Sequence, residues 1–293
     1  MNHPTMAYKR AGRFRQLLVA LVAGLALGVW PAPHAHAASG STIFAITTAN
    51  TLLRFDSAAP GTILSTTAVS GLQVGENILG IDFRPASGQL FGLGSTSRLY
   101  TLDLTSGVAT QVGAAPFAPA LSGTDFGFDF NPVVDRVRVV SDADQNLRLN
   151  PSTGALAATD TALAYAAGDP NAGANPNTVG AAYTNSFAGA SVTTLYGIDS
   201  NLDILTIQNP PNNGTLNTIG SLGFNTSGAV GFDIATAGTA FAALSVSGLA
   251  GLFTVNLATG AATPIGSIGT GARAIRDIAV APLTIVYLPL VLK

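Results

Sequence analysis

The stretch Gly127–Gly154, GFDFNPVVDRVRVVSDADQNLRLNPSTG, lies without a gap on Gly80–Gly107, GIDFRPASGQLFGLGSTSRLYTLDLTSG. Both open Gly-apolar-Asp-Phe with Pro two residues later, and both close on an Asp or Asn four residues before a Gly. Self-similarity at about fifty residues is the mark of a repeat array, one supersecondary unit per copy. Within the Gly80 copy the β-branched and aromatic runs IDFRP, QLFGLG, RLYTLDL and VATQVG, parted by turns, read as four strands. In the Gly127 copy RVRVV, NLRLN and ALAAT follow the opener.

Outward from this pair the pattern continues. A divergent copy starts near Gly180 (GAAYTNS, TTLYGID, LDILTIQ, TLNTIGSL) and lacks the opening Asp. A clearer one starts at Gly231 (GFDIAT, TAFAALSV, GLFTVNL, ATPIGSI). Residues 42–69 supply three strands without an opener, and Arg276–Pro282, RDIAVAP, supplies an opener without its three strands. Joined, these two remnants complete a fifth copy. The openers at Gly80, Gly127, Gly180, Gly231 and Arg276 are 45 to 53 residues apart, which suits propeller blades. The expected fold is all-β, a five-bladed β-propeller closed by N- and C-terminal strands that share one blade. Blades are covered on both faces, and a chain that is 47% hydrophobic and 10% charged fits that burial.

Residues 1–37 read as a secretory signal peptide: a basic start (Lys9, Arg10, Arg13, Arg15), an apolar run Leu17–Trp30, then Ala35-His36-Ala37 as cleavage signal. The apolar run is fourteen residues, short of the ~20 that a spanning helix needs. The expectation is a secreted or cell-surface protein cleaved near Ala37, with residues 38–282 as one propeller domain and no transmembrane segment in the mature chain. The apolar tail 283–293, LTIVYLPLVLK, follows closure of the ring.

All three His, both Met and the single Trp lie in the leader, and the chain has no Cys. The mature part therefore offers no His or Cys nucleophile, no usual Zn or Cu ligand set and no haem ligand of those types. With the leader's four basic residues gone, nine Lys and Arg face fifteen Asp and Glu, a net of −6. Without a basic run, nucleic acid is not expected as a partner. A monomer is expected, and no cofactor other than Ca²⁺.

The opener Asp recurs as Asp82, Asp129, Asp233 and Asp277. Placed on innermost strands, these carboxylates would stand at similar heights around the central channel. Two readings follow: a ring that holds Ca²⁺ or a cationic or sugar ligand, or a set of latches accepting backbone N–H bonds between blades. Arg84 and Asn131, two residues after their Asp, are placed to reach the channel mouth. Asp142, Asp144 and Asn146 give the D-x-D-x-N start of a Ca²⁺ loop, but Leu147 and Thr153 stand where an EF-hand needs Gly and Glu. A looser Ca²⁺ turn or a plain hairpin turn remains. The long polar loop Ala166–Ser186, with Asp169 and Asn171, is a candidate ligand-facing segment. The turns Asp103–Gly107, Asn150–Gly154 and Asn256–Gly260 share one chemistry, Asx and Ser/Thr side chains bonding their own backbone before a Gly.

The Gly127 unit, the loop AYAAGDPNAGANPNTVGAAYTNSF, and TTLYGID followed by LDILTIQNPPNNGTLNTIG resemble the bacterial exported domain-of-unknown-function family numbered 4394. The resemblance spans roughly Ile43 to Ala281 and implies a propeller-like exported domain without an assigned activity. The function expected is a non-catalytic binding or scaffold module for a protein or glycan partner. The alternative is a carboxylate-dependent, glycoside hydrolase-like enzyme using channel Asp residues, since Glu76 is the only Glu.

Overall fold

The computed structural model describes residues 40–282; the leader over 1–37 and the tail over 283–293 lie outside the described residues. In chain order, the strands are β1 (Thr42–Thr47), β2 (Thr51–Asp56) and β3 (Ile63–Ala68), then β4 (Ile78–Phe83), β5 (Leu90–Gly94), β6 (Arg98–Leu102) and β7 (Ala109–Val112). Next come β8 (Phe126–Asn131), β9 (Arg136–Ser141), β10 (Asn146–Leu149) and β11 (Leu156–Thr159). They are followed by β12 (Ala164–Tyr165), β13 (Thr178–Tyr183), β14 (Leu195–Asp199), β15 (Ile204–Gln208) and β16 (Thr215–Ser221). The last are β17 (Gly231–Ile234), β18 (Ala240–Val246), β19 (Leu249–Val255), β20 (Ala262–Ser267) and β21 (Ile275–Val280).

These form five small sheets in a ring, a five-bladed propeller. β21 pairs antiparallel with β1, from Ile43 opposite Val280 to Ile46 opposite Asp277, so the two ends of the repeat region share the first blade. That closure is what the split copy required. The fourth blade carries a fifth strand that its sequence did not announce: β12, two residues long, pairs parallel with β16. β13 occupies Thr178–Tyr183, so the long loop is irregular from residue 166 to 177 and again from 184 to 186.

Burial follows position in the blade. The inner strands β4 and β13 are buried at every residue, whereas the outer strands β3 and β11 alternate between half-buried and exposed. Each of the five interfaces between blades has its own apolar cluster. Ile43, Leu53 and Phe55 pack with Phe241, Leu252 and Ile278, while Phe91 and Leu93 pack with Phe128 and Val139. Fully burying such side chains is worth roughly 1.5–3 kcal/mol each. The ring is thus held by side-to-side packing between blades.

The glycines of the opener serve that packing. A Cβ on Gly127 would run into Ala181 of the next inner strand. Gly154, which ends the shared Asx turn, has φ +70, and a Cβ there would meet the carbonyl of Val112 in the preceding blade. Gly154→Ala is therefore expected to cost about 2 kcal/mol, from left-handed backbone strain and overpacking together. In urea this appears as a lower midpoint at unchanged slope; an unmoved midpoint would show that the blades can part there freely.

Candidate functional site

The inner strands meet around the axis in the order β4, β8, β13, β17, β21 and back to β4. Pairing within each blade fixes which residues share a level. Asp82 stands opposite Phe91, Asp129 opposite Arg138, Ala182 opposite Tyr196, Asp233 opposite Phe241 and Ala279 opposite Phe44. Three of the five positions at this level are therefore Asp and two are Ala. Asp277 lies two residues before Ala279, where other openers carry Gly. The expectation of four carboxylates at one height is corrected to three plus one offset. Aligning on proline would have shown it, because Pro85, Pro132 and Pro282 each follow the level position by three residues.

One oxygen from each of Asp82, Asp129 and Asp233 lies within 4.8 Å of the other two, and all three residues are buried. Their bonds run from blade to blade. Asp82 Oδ1 accepts the N–H of Phe83 at 2.6 Å, and Oδ2 accepts that of Phe130 on β8 at 2.8 Å. Asp233 accepts the N–H groups of Ile234 and, on β21, Val280. Asp277 accepts Ile278 at 2.8 Å and, on β4, Ile81 at 2.8 Å. These carboxylates latch neighbouring inner strands together. Asp129 lies close to the Tyr183 N–H on β13, yet its Oδ1 is buried without a partner. The reason is local: the Phe130 N–H, which by analogy would serve Asp129, is given to Asp82.

Electrostatics follow from this crowding. Burial, then the Asp233 carboxylate, push Asp82 well above the usual range against the N–H groups of Phe130 and Phe83. Burial, then Asp82 and Asp233, do the same to Asp129. Asp277 is pushed well up by burial, and Asp233 is pushed up to about 6, burial outweighing the Val280 and Ile234 N–H bonds. Among the described residues, no salt bridge reaches these four carboxylates. At the downstream end of the inner strands, the cavity bordered by Phe83, Pro85, Ile234 and Val280 measures about 10 Å³, scarcely room for one water. At the other end Asp125 reaches toward Gly228 and Arg276 of other blades; burial and Asp142 push its carboxyl up, and Arg276 draws it back.

The remaining sequence candidates, Asp144 apart, are engaged elsewhere. Arg84 pairs with Asp135 of the next blade through Nε at 2.9 Å and through Nη2. Asn131 Oδ1 closes a turn on the N–H groups of Val133 and Val134. Asp169 accepts the N–H and hydroxyl of Thr218, and Asn171 donates to the same hydroxyl, so both pin their loop to β16. Asp142 and Asn146 are bonded to separate partners, and Asp144 Oδ1 is buried with none. Asp142 accepts the Thr124 N–H, while the Asn146 side chain turns inward to Arg138, Gln208 and the carbonyls of Thr161 and Pro211. The segment Asp142–Gln145 is the hairpin turn between β9 and β10.

Sequence reasoning missed three buried polar centres. Arg138, 1% exposed, donates to Asn146, Asp160, Asn212 and Tyr183. Glu76 accepts from the Thr96 and Tyr100 hydroxyls and from the N–H groups of Thr96 and Gln73. Burial alone would raise its carboxyl, but these bonds hold it below the ordinary value. Asp199 accepts the Tyr165 hydroxyl at 2.6 Å and the Asn177 N–H at 2.9 Å. Arg138 carried one signal, a charged residue inside the strand run RVRVV, whereas Glu76 precedes β4 and Asp199 ends β14, where polar residues are ordinary.

No helix among the described residues is long and apolar enough to cross a membrane. No curated protein matches the chain. Among solved structures it is similar to a Bacteroides uniformis protein provisionally described as a 6-phosphogluconolactonase, at 17% identity and TM-score 0.39, covering 82% of this chain and 71% of that one. It is also similar to a Bacteroides thetaiotaomicron protein of unknown function, at 16% identity and TM-score 0.49, covering 83% of this chain; there it spans 65% of the other protein's length. The family profile described as Domain of unknown function (DUF4394) matches residues 51–279, so the chain belongs to that family.

Proposed function

We propose that this protein is an exported, non-catalytic propeller that binds a protein or glycan partner through its outer surface. The observation that carries this is the state of the hub carboxylates. They are close enough for paired-carboxylate chemistry, but each is at most 4% exposed, and Asp82, Asp233 and Asp277 are committed to backbone N–H groups of their own and neighbouring strands. A sugar cannot reach them. Open space lies instead at the periphery, where a groove of about 610 Å³ sets Gln89, Thr101, Asp103, Ser106 and Thr110 beside the apolar Leu90, Leu102, Leu104 and Val108. That volume is within the range of ligand sites, and its amide and hydroxyl groups suit polar recognition. Export rests on the basic start, apolar run and small-x-small signal of residues 1–37.

The test is retention of the purified protein on immobilised polysaccharides and on cell-envelope fractions treated or untreated with protease. Binding is expected to fall at least tenfold when Thr101→Arg and Thr110→Arg fill the groove. Protease sensitivity separates a protein partner from a glycan. Turnover of a glycoside by the wild type, lost in Asp82→Asn, would replace this reading with the hydrolase.

A further inference from the structure

We propose that the hub of the ring is a metal site in which Asp82, Asp129 and Asp233 bind one hard divalent cation of the Ca²⁺ class. Three carboxylate oxygens mutually within 4.8 Å share a centre that is at most about 2.8 Å from each, close to the 2.3–2.6 Å that Ca²⁺ takes from oxygen, so a small inward movement seats a single ion between them. The backbone latches do not preclude this. Each carboxylate oxygen has two lone-pair directions, and an N–H bond occupies one.

A second observation is independent of the clustering. Asp129 Oδ1 is buried, in a residue 2% exposed, and meets no donor from the protein. An orphaned buried acceptor is rare and costly, and it asks for a partner that the chain does not supply. The basic residue paired across from it cannot serve: Arg138 directs its donors to Asp160, Asn146, Asn212 and Tyr183. Ala182 and Ala279 complete the level, bringing little bulk to it and leaving an asymmetric three-carboxylate face. A purely structural latch does not need this convergence, as Asp277 shows: it bonds Ile278 and Ile81 from two residues away and stands outside the group of three.

The experiment uses the full chain, with metal counted by elemental analysis after gel filtration and melting followed in Ca²⁺ or in chelator. Near one calcium per chain is expected for the wild type. At free Ca²⁺ a hundredfold above the dissociation constant, the melting midpoint should rise by about 5–10 °C over the chelated protein. Asp129→Asn, nearly isosteric, should lose both the bound metal and the shift. Ala182→Asp, which adds a fourth carboxylate to the same level, should be less stable than wild type in chelator and should respond more strongly to Ca²⁺. This second variant keeps the test decisive if Asp129→Asn fails to fold. Wild-type protein without stoichiometric metal and with an unmoved midpoint would overturn the proposal and leave protons as what neutralises the hub. A Ca²⁺ shift retained in folded Asp129→Asn would overturn it equally, by placing the ion elsewhere.

Discussion

Truncating the chain after Ala274, which removes β21, should abolish cooperative unfolding, whereas truncation after Pro282 keeps every described strand and serves as the reference. β21 is the inner strand of the first blade, and Ile275, Ile278, Ala279 and Val280 are all buried. Its loss opens the ring at two interfaces. Ile278 and Ile275 leave the cluster shared with the fifth blade, and Ala279 leaves the cluster shared with the second. It also strips two latches, the Val280 N–H from Asp233 and the Asp277 carboxylate from Ile81. Asp233 and the Ile81 N–H would then face an open seam, and β1 would become a bare sheet edge prone to pair with other chains. The loss is of the order of the whole stability of a domain, about 5–15 kcal/mol. The expected record is a broad, low-amplitude melt and self-association on gel filtration. Supplying residues 275–282 as a peptide should restore part of the transition by strand addition. A sharp melt at the reference midpoint would mean that the two ends do not hold the ring.

The blade count and the closure were legible because both depend on spacing, and spacing survives divergence. GFDFNP and GIDFRP carry it by their Gly, Asp and Pro, and even the Gly180 copy, with Ala182 for Asp, keeps the Gly that admits the neighbouring strand. Site geometry was less legible, for a reason of register. A shift of two residues preserves the face of a strand, so Asp277 looks like the other opener carboxylates in pattern while standing one pleat away. Arg138 was hidden for a different reason. Its partners Asp160, Asn212 and Tyr183 come from turns and strands 22 to 74 residues later, and no local pattern announces them. The loop residues Asp169 and Asn171 have the polarity of a ligand site, but polarity alone cannot tell a ligand from Thr218.

Arg138→Met should destabilise the protein by roughly 3–5 kcal/mol, the usual result of breaking a buried pair from one side. The guanidinium sits where the third and fourth blades meet. Nη1 donates to Asp160 and Asn146, both at 2.6 Å, Nη2 donates to Asn212 at 2.8 Å, and Nε donates to the Tyr183 hydroxyl at 3.3 Å. Methionine fills much of the volume but donates nothing, so the Asn146 and Asn212 oxygens lose a charged donor at a buried seam. Asp160 keeps Arg148, bonded at 2.8 and 2.9 Å, which limits the damage to that carboxylate. Asp160→Asn should therefore cost a similar amount from the opposite side, and the double variant less than the sum, because each single change already breaks the shared bond. Acid provides a separate readout. Burial would raise the Asp160 carboxyl, but Arg148 and Arg138 hold it below its ordinary value of 3.8. A carboxyl depressed on folding contributes stability that is present above that value and lost as pH falls through the lower, folded one. Wild type should thus lose stability more steeply below about pH 4 than Arg138→Met does, since the variant has less of this contribution to lose. Equal acid limbs, or a midpoint within 0.5 kcal/mol of wild type at neutral pH, would show that the seam between these blades is carried by apolar packing alone.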